Sequence, residues 1–268
     1  MAPPSKDAVL EDMKTVGQSL SSKLEDFTSS KAEANASLTK LRAPLTKIVG
    51  NNEDIIKDRI HEIQKRPKLE KPRPIPPPFK TPLAVFNQFF QAPYGFQSPY
   101  TSGDNGVAHA SANEQNGSIS VSVAASNQHG TAAAAVGFQF QAPRNMLLYI
   151  TPLLTYNFNW LDLANFINAS NAGNFLIHVQ VFEPDGRTQL PGLTFTYPLW
   201  NDDAGWLDEH SNSGTNVTLT VSPSISVAEG RWYIFWFEFD TMCATGFSTF
   251  SNSSIEATLD YCVLYSPN

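Results

Sequence analysis

Lysine is absent from the last 188 residues of this chain, although the first 80 residues contain eleven lysines. Residues 81–268 carry 3 Arg against 14 Asp and Glu, a formal charge of −11, whereas residues 1–80 carry 15 Lys and Arg against 11 acids, or +4. Electrostatic contact with nucleic-acid phosphates requires Lys and Arg. The composition therefore excludes nucleic acid as a partner of the C-terminal part of the chain.

Long apolar runs and cysteine clusters are also missing. The longest apolar stretches, 146–150 and 232–237, are far shorter than the roughly 20 residues that a membrane-spanning helix needs, so no transmembrane segment is predicted. No signal peptide is visible, which leaves the localisation open between release without a cleaved signal and assembly into a particle. Cys243 and Cys262 are too few for a disulfide scaffold or a four-cysteine zinc site. We expect two buried free thiols, with a cross-strand disulfide as the alternative.

Motifs for catalysis or cofactor binding are missing as well. The five histidines are scattered, no serine lies in a nucleophile elbow, and no glycine loop matches a phosphate or dinucleotide motif. We therefore expect a protein that is not an enzyme. We expect no cofactor either, apart from calcium bound by a cluster of carboxylates.

The first 65 residues are predicted to form amphipathic helices. Ser5 is a suitable N-cap for the first of them. The apolar seam, which we predict to mediate oligomerisation, comprises Val9, Met13, Val16, Leu20, Leu24, Phe27, Leu38, Leu41, Leu45 and Ile48. Three uses of this seam are open: packing in a hairpin or along the rest of the chain, a self-associating coiled coil, and insertion into a membrane.

The chain changes character after a linker. Residues 66–82 contain seven prolines and predict an extended polyproline II spacer. Residues 83–268 then follow the two-residue period of strands, as where Ile119, Val121 and Val123 alternate with serines. We predict a mainly β domain, an antiparallel β-sandwich of jelly-roll type with about eight to ten strands and a short turn at 161–166. Residues 232–237 are apolar on both faces, which predicts a central strand covered on both sides.

One segment between two predicted strands combines aromatic, acidic and amide side chains. Its candidate ligand-binding residues are Trp200, Asn201, Asp202, Asp203, Trp206, Asp208, Glu209 and His210. Aromatic rings beside Asp and Asn suit a glycan, and the carboxylates of Asp202, Asp203 and Asp208 suit calcium. The alternative is a solvated acidic loop that the tryptophans anchor.

Three functions are compatible with these features. The first is a recognition or adhesion module, in which a lectin-like or receptor-binding sandwich is multimerised by the helical segment and binds a glycan or cell-surface receptor. The second is a structural subunit of a filament, fibre or virion-like particle, because strand edges with few charges permit pairing between subunits. The third is a toxin component with membrane-inserting helices. The first two both predict a homo-oligomer.

Overall fold

The structure is a computed structural model that describes residues 3–16, 18, 86–103, 108–164, 168–205, 208–246 and 249–267. One short helix, α1, spans residues 6–16. Twelve strands follow: β1 (Phe86–Phe90), β2 (Phe96–Gly103), β3 (Ala108–Asn113), β4 (Ser118–Ser126), β5 (His129–Gln141), β6 (Met146–Ala164), β7 (Ala169–Phe182), β8 (Gln189–Ala204), β9 (Asp208–Thr220), β10 (Ser224–Val227), β11 (Trp232–Thr245) and β12 (Thr249–Ser266). The predicted linker, residues 66–82, lies outside the described residues.

The strands form two antiparallel sheets that pack face to face. Sheet A has the order β10-β6-β12-β4-β3, with β1 also paired to β12 and β9 also paired to β6. Sheet B has the order β2-β5-β11-β7-β8. The predicted mainly β class and the antiparallel sandwich are thus confirmed.

Two details of the predicted strand pattern are wrong. The described residues contain twelve strands rather than eight to ten. The additional ones include short edge strands such as β3, whose alternating positions carry only alanine as apolar residue, and β10, which is only four residues long. The turn predicted at 161–166 is also wrong for the first four of these residues. Leu161–Ala164 continue β6 and pair with both β12 and β9.

The main core lies between the two sheets and is centred on β11. This strand pairs with β5 on one side and β7 on the other, as predicted for a central strand. Its odd-numbered residues Phe235 and Phe237 face the interior, whereas Ile234 and Trp236 face the other side of sheet B. All four are fully buried, and each buried side chain of this size contributes about 1.5–3 kcal/mol.

The helix α1 covers part of the outer face of sheet B. The Ser5 Oγ accepts a hydrogen bond from the Ala8 backbone N–H at 3.3 Å, so Ser5 is the N-cap as predicted. Val9 and Met13 are buried on Phe182 and Trp236, with Val16 packed at the margin. Gln180 fixes the helix by donating from Nε2 to the Val9 carbonyl at 3.0 Å and to Asp12 Oδ2 at 2.9 Å.

The start of the predicted oligomerisation seam therefore has its apolar partner within this chain. Val9, Met13 and Val16 contact the sandwich, which is the packing alternative that the sequence left open. The other predicted seam residues lie outside the described residues: Leu20, Leu24, Phe27, Leu38, Leu41, Leu45 and Ile48. Over the part of the chain that is described, no helix is long and apolar enough to cross a membrane.

Both cysteines are buried free thiols, as expected, and no disulfide joins them. Burial raises the pKa of the Cys243 thiol to about 12, and burial raises that of Cys262 well above its ordinary value. Both thiols therefore stay protonated at neutral pH, and a protonated buried thiol is a poor nucleophile.

Candidate functional site

The segment selected from the sequence is mostly strand. Residues up to Ala204 belong to β8, and Asp208 already begins β9. Because successive side chains of a strand point to opposite faces, Asp202 turns inward beside Asn171 while Asn201 and Asp203 are exposed. Trp206 lies outside the described residues. Consecutive residues of this segment within β8 therefore lie on opposite faces of sheet B.

Trp200 is a packing residue at the end of the core. Its indole stacks on Phe158 with ring centroids 5.4 Å apart, and its Nε1 donates a hydrogen bond to Asn171 Oδ1. The ring also lies directly on Gly173, where any Cβ would collide with it. The described contacts of Trp200 are therefore packing contacts within the chain.

His210 bridges two of the predicted carboxylates. Its Nδ1 is 2.9 Å from Asp202 Oδ2, and its Nε2 is 2.9 Å from Asp208 Oδ2. The hydrogen bond to Asp202 is the largest cause that raises the pKa of His210 above its ordinary value. In its protonated form the imidazolium donates to both carboxylates and ties the end of β8 to the start of β9.

A further carboxyl, Asp162, lies beside this bridge. The strand register places Asp162 of β6 opposite His210 of β9 and opposite Ser251 of β12. The side chain is fully buried, and neither of its oxygens has a hydrogen bond of good geometry. Burial is the main cause that raises the pKa of Asp162 to about 7. The negative charge of Asp202 also raises this pKa, whereas the polar side chains of Ser251 and Asn171 lower it.

Other buried polar atoms near Asp162 also lack partners. The Nε1 of Trp160, two residues earlier on β6, and the Nδ2 of Asn171 have no hydrogen bond of good geometry. We call this region the polar end of the core; it comprises Trp160, Asp162, Asn171, Asp202, His210 and Ser251. A buried carboxyl with a pKa near neutrality, next to a histidine held by two carboxylates, can take up and release protons close to neutral pH.

The three carboxylates predicted to bind calcium do not converge. Asp202 faces inward and Asp203 outward, where Asp203 Oδ1 accepts a hydrogen bond from Ser170 Oγ at 2.5 Å. The imidazole of His210 separates Asp202 from Asp208. Within the described ranges, no group of three or more His, Cys, Asp or Glu side chains is arranged to hold a metal ion.

The edges of both sheets form a second feature of functional interest. Among the described residues, six strands pair on one side only: β1, β2, β3, β8, β9 and β10. The Asp and Glu residues in these strands are Asp202, Asp203, Asp208 and Glu209, all at the junction of β8 and β9, and none of the six strands contains Lys or Arg. Soluble monomers commonly protect such edges with charges, especially lysine. Away from the junction of β8 and β9, the described edge strands lack that protection by charge.

Comparison with known proteins gives only distant similarities. No family model and no curated protein matches the chain. Among solved structures, TmCBM61 in complex with β-1,4-galactotriose is 12% identical, with a TM-score of 0.20 over 62% of this chain and 86% of that one. CBM35 from Cellvibrio japonicus Abf62 is 13% identical, with a TM-score of 0.21 over 63% of this chain and 92% of that one. The enzymatically active domain of bacteriophage CBA120 tailspike protein 4 is 10% identical, with a TM-score of 0.25 over 66% of this chain and 19% of that one. Similarities this distant support no assignment of function.

Proposed function

We propose that this chain is a non-enzymatic structural subunit that assembles with copies of itself, and that its sandwich is a jelly roll. The observation that carries the proposal is the absence of charge along the sheet edges. Apart from the junction of β8 and β9, the six edge strands contain no Asp, Glu, Lys or Arg. An unprotected edge offers its free N–H and C=O groups to a strand of another subunit.

The strand order supports the jelly-roll part of the proposal. In sheet A the order β4-β12-β6-β9 lies opposite β5-β11-β7-β8 in sheet B. Strands next to each other in sequence, such as β4 and β5 or β6 and β7, thus lie in different sheets. This alternation supports a jelly roll, whose eight strands form two Greek keys and which builds many viral capsid and lectin domains.

Sheet A has the better edges for pairing between subunits. The edge strands of sheet B contain prolines, Pro99 in β2 and Pro191 and Pro198 in β8, and proline cannot donate to a strand ladder. The edge strands of sheet A contain none. With 13 residues, β9 is the longest of them. We therefore expect association to use the β9 edge beyond Glu209, where this strand contains no Asp, Glu, Lys or Arg.

Sedimentation velocity and light scattering of the full chain over a range of concentrations test the proposal. We expect a mass distribution that grows with concentration. Thr218→Lys places a charge on β9 and is expected to suppress this growth. The matched control is Thr196→Lys, because Thr196 is also an exposed threonine of an edge strand but lies in the proline-containing β8. A single fixed mass at every concentration would reject self-assembly, and an equal effect of the two lysines would reject the β9 edge.

Recognition of a glycan is the second candidate function. It is favoured by the exposure of Asn201, Asp203, Asp208 and Glu209 together at the junction of β8 and β9, where amide and carboxylate oxygens can bind sugar hydroxyls. Binding of the full chain and of Asn201→Ala to a glycan array tests it. No glycan bound by the wild-type chain, or equal binding by the variant, would reject this site.

A further inference from the structure

One end of the outer face of sheet A carries a group of apolar and aromatic side chains. They lie on three adjacent strands and alternate with core residues such as Cys262 and Leu264 of β12 and Leu148 of β6. We call this group the aromatic patch; it comprises Phe89 of β1, Leu147 and Tyr149 of β6, and Tyr261, Val263 and Tyr265 of β12.

A β-bulge creates the patch. The register of β12 with β6 shifts between Leu259 and Tyr261, so the extra residue, Asp260, reverses the faces of the strand beyond it. Before the bulge the odd-numbered residues Ile255, Ala257 and Leu259 face the core. Beyond it, the odd-numbered residues of β12 face outward instead.

The patch residues are aligned across the strands. Tyr265 lies opposite Tyr149, and their rings stack with centroids 5.0 Å apart and planes at 13°. Phe89 lies opposite Val263 and its ring packs on Tyr261 with centroids 5.2 Å apart. Such cross-strand pairs hold the rings in fixed positions, which lowers the entropy cost of using them in a contact.

Two of the apolar side chains in the patch are exposed to solvent. Three large hydrophobic side chains are exposed among the described residues, and two of them belong to the patch: Phe89 at 41% and Leu147 at 42%. The third is Leu193 of β8, at 51%. Fixed aromatic side chains with depleted charge are typical of the centre of protein–protein interfaces.

The charge distribution indicates which partner fits. No patch residue is charged, and neither are the residues paired with them on the same face, which are Asn87, Thr151, Leu153, Ser224 and Ser226. The rest of this domain is acidic, with a formal charge of −11 over residues 81–268 from 3 Arg and 14 Asp and Glu. A basic partner would be attracted to the acidic surface rather than to this patch. The acidic domain of a second copy is repelled by the remaining surface of this domain and can approach it closely only where charge is absent.

We propose that the aromatic patch is a two-fold contact between two copies of this chain. This inference rests on the proposed function of self-assembly and adds its second interface. A two-fold contact closes into a dimer and cannot grow, so an extended assembly needs another contact as well. The patch would form dimers, and the β9 edge would join them.

Sedimentation of full-length variants tests this contact. Phe89→Ser combined with Leu147→Ser removes two exposed apolar side chains and is expected to raise the concentration needed for dimer formation about tenfold or more. Leu193→Ser is the matched control. It removes the one of the three exposed hydrophobic side chains that lies outside the patch, and it is expected to leave dimer formation unchanged. Thr151→Lys is a second patch variant, which adds a charge and removes no ring, and is expected to abolish the dimer. The matched control for it is Thr196→Lys.

The outcomes separate the two proposals. Wild-type association that persists in Thr151→Lys and in the double serine variant overturns the patch but leaves self-assembly standing. An equal loss in Leu193→Ser overturns it too, since the contact would then not be specific to the patch. A wild-type chain that stays monomeric at every concentration overturns self-assembly itself. The expected pattern is that Thr218→Lys stops growth but keeps dimers, whereas the patch variants remove the dimers.

Discussion

Replacing Asp162 by Asn should change how the stability of the sandwich depends on pH. The buried carboxyl of Asp162 has a pKa of about 7, raised chiefly by burial, against about 3.9 in an unfolded chain. A carboxyl with a raised pKa binds its proton more tightly in the folded state. Its contribution to stability is therefore complete below about pH 4 and is lost as the pH rises to about 7.

The size of this effect follows from the shift. A change from about 3.9 to about 7 is roughly three pKa units, and each unit corresponds to about 1.36 kcal/mol. Ionisation of Asp162 should therefore cost about 4 kcal/mol of unfolding free energy between about pH 4 and about pH 8. The asparagine side chain has nearly the same shape as aspartate, does not ionise, and could donate its amide N–H to Asp202. We expect Asp162→Asn to match the wild type near pH 4 and to exceed its stability clearly at pH 8.

Urea denaturation followed by tryptophan fluorescence, at several values between about pH 4 and about pH 8, measures this difference. Asp185→Asn is the control, because hydrogen bonds from the Thr188 and Arg187 backbone N–H groups lower the pKa of the exposed Asp185. Stability from Asp185 is present above its unfolded pKa and is lost only as the pH falls, so its variant should differ from the wild type by a constant amount from about pH 6 to about pH 8. If Asp162→Asn shows the same constant offset, burial does not raise the pKa of the Asp162 carboxyl, and the reasoning fails.

Two other predictions concern the same end of the molecule. Gly173→Ala should lower the unfolding free energy by about 1–3 kcal/mol, because the added Cβ would collide with the indole of Trp200. The control is Gly205→Ala, which should cost far less because a Cβ there would meet no atom within 4 Å. Equal melting temperatures of the two variants would contradict the packing described for the indole. His210 should titrate in NMR spectra with a pKa above its ordinary value, because of its hydrogen bond to Asp202, and Asp202→Asn should lower that pKa; an unchanged titration would show that the bridge does not form in solution.

The sequence predicts the architecture where hydrophobic alternation is strong. The alternation of Ile119, Val121 and Val123 with serine marks β4 correctly, and the apolar run 232–237 marks the central strand. The alternation fails at edges such as β3, where Ala alternates with Ser and His, because small side chains contribute little burial. It also cannot reveal the bulge at Asp260, since one extra residue leaves no composition signal.

The candidate site shows more clearly which contacts the sequence alone cannot predict. Sequence proximity correctly grouped Asp202, Asp208 and His210, which meet through side-chain contacts. Asp203, which the sequence placed in the same group, lies on the other face because side chains alternate along a strand. It missed Asp162, whose nearness to His210 depends on the pairing of β6 with β9. A signal was present, since an aspartate at an even-numbered position of β6 falls on the face that also carries Leu154 and Trp160, but it is readable only once the strand's bounds are known.

The bulge makes one surface of this protein depend on how a single residue, Asp260, is accommodated in the strand pairing. The Asp260 Oδ2 accepts a hydrogen bond from Thr155 Oγ1 at 2.8 Å, which holds the extra residue in place. If Asp260 were paired as an ordinary strand residue, the end of β12 would turn over, so that Tyr261 and Tyr265 would point into the core and Cys262 would face the solvent. The bulge thus decides which face of the strand carries the contact surface, and closing it would erase that surface without changing any of the side chains that form it.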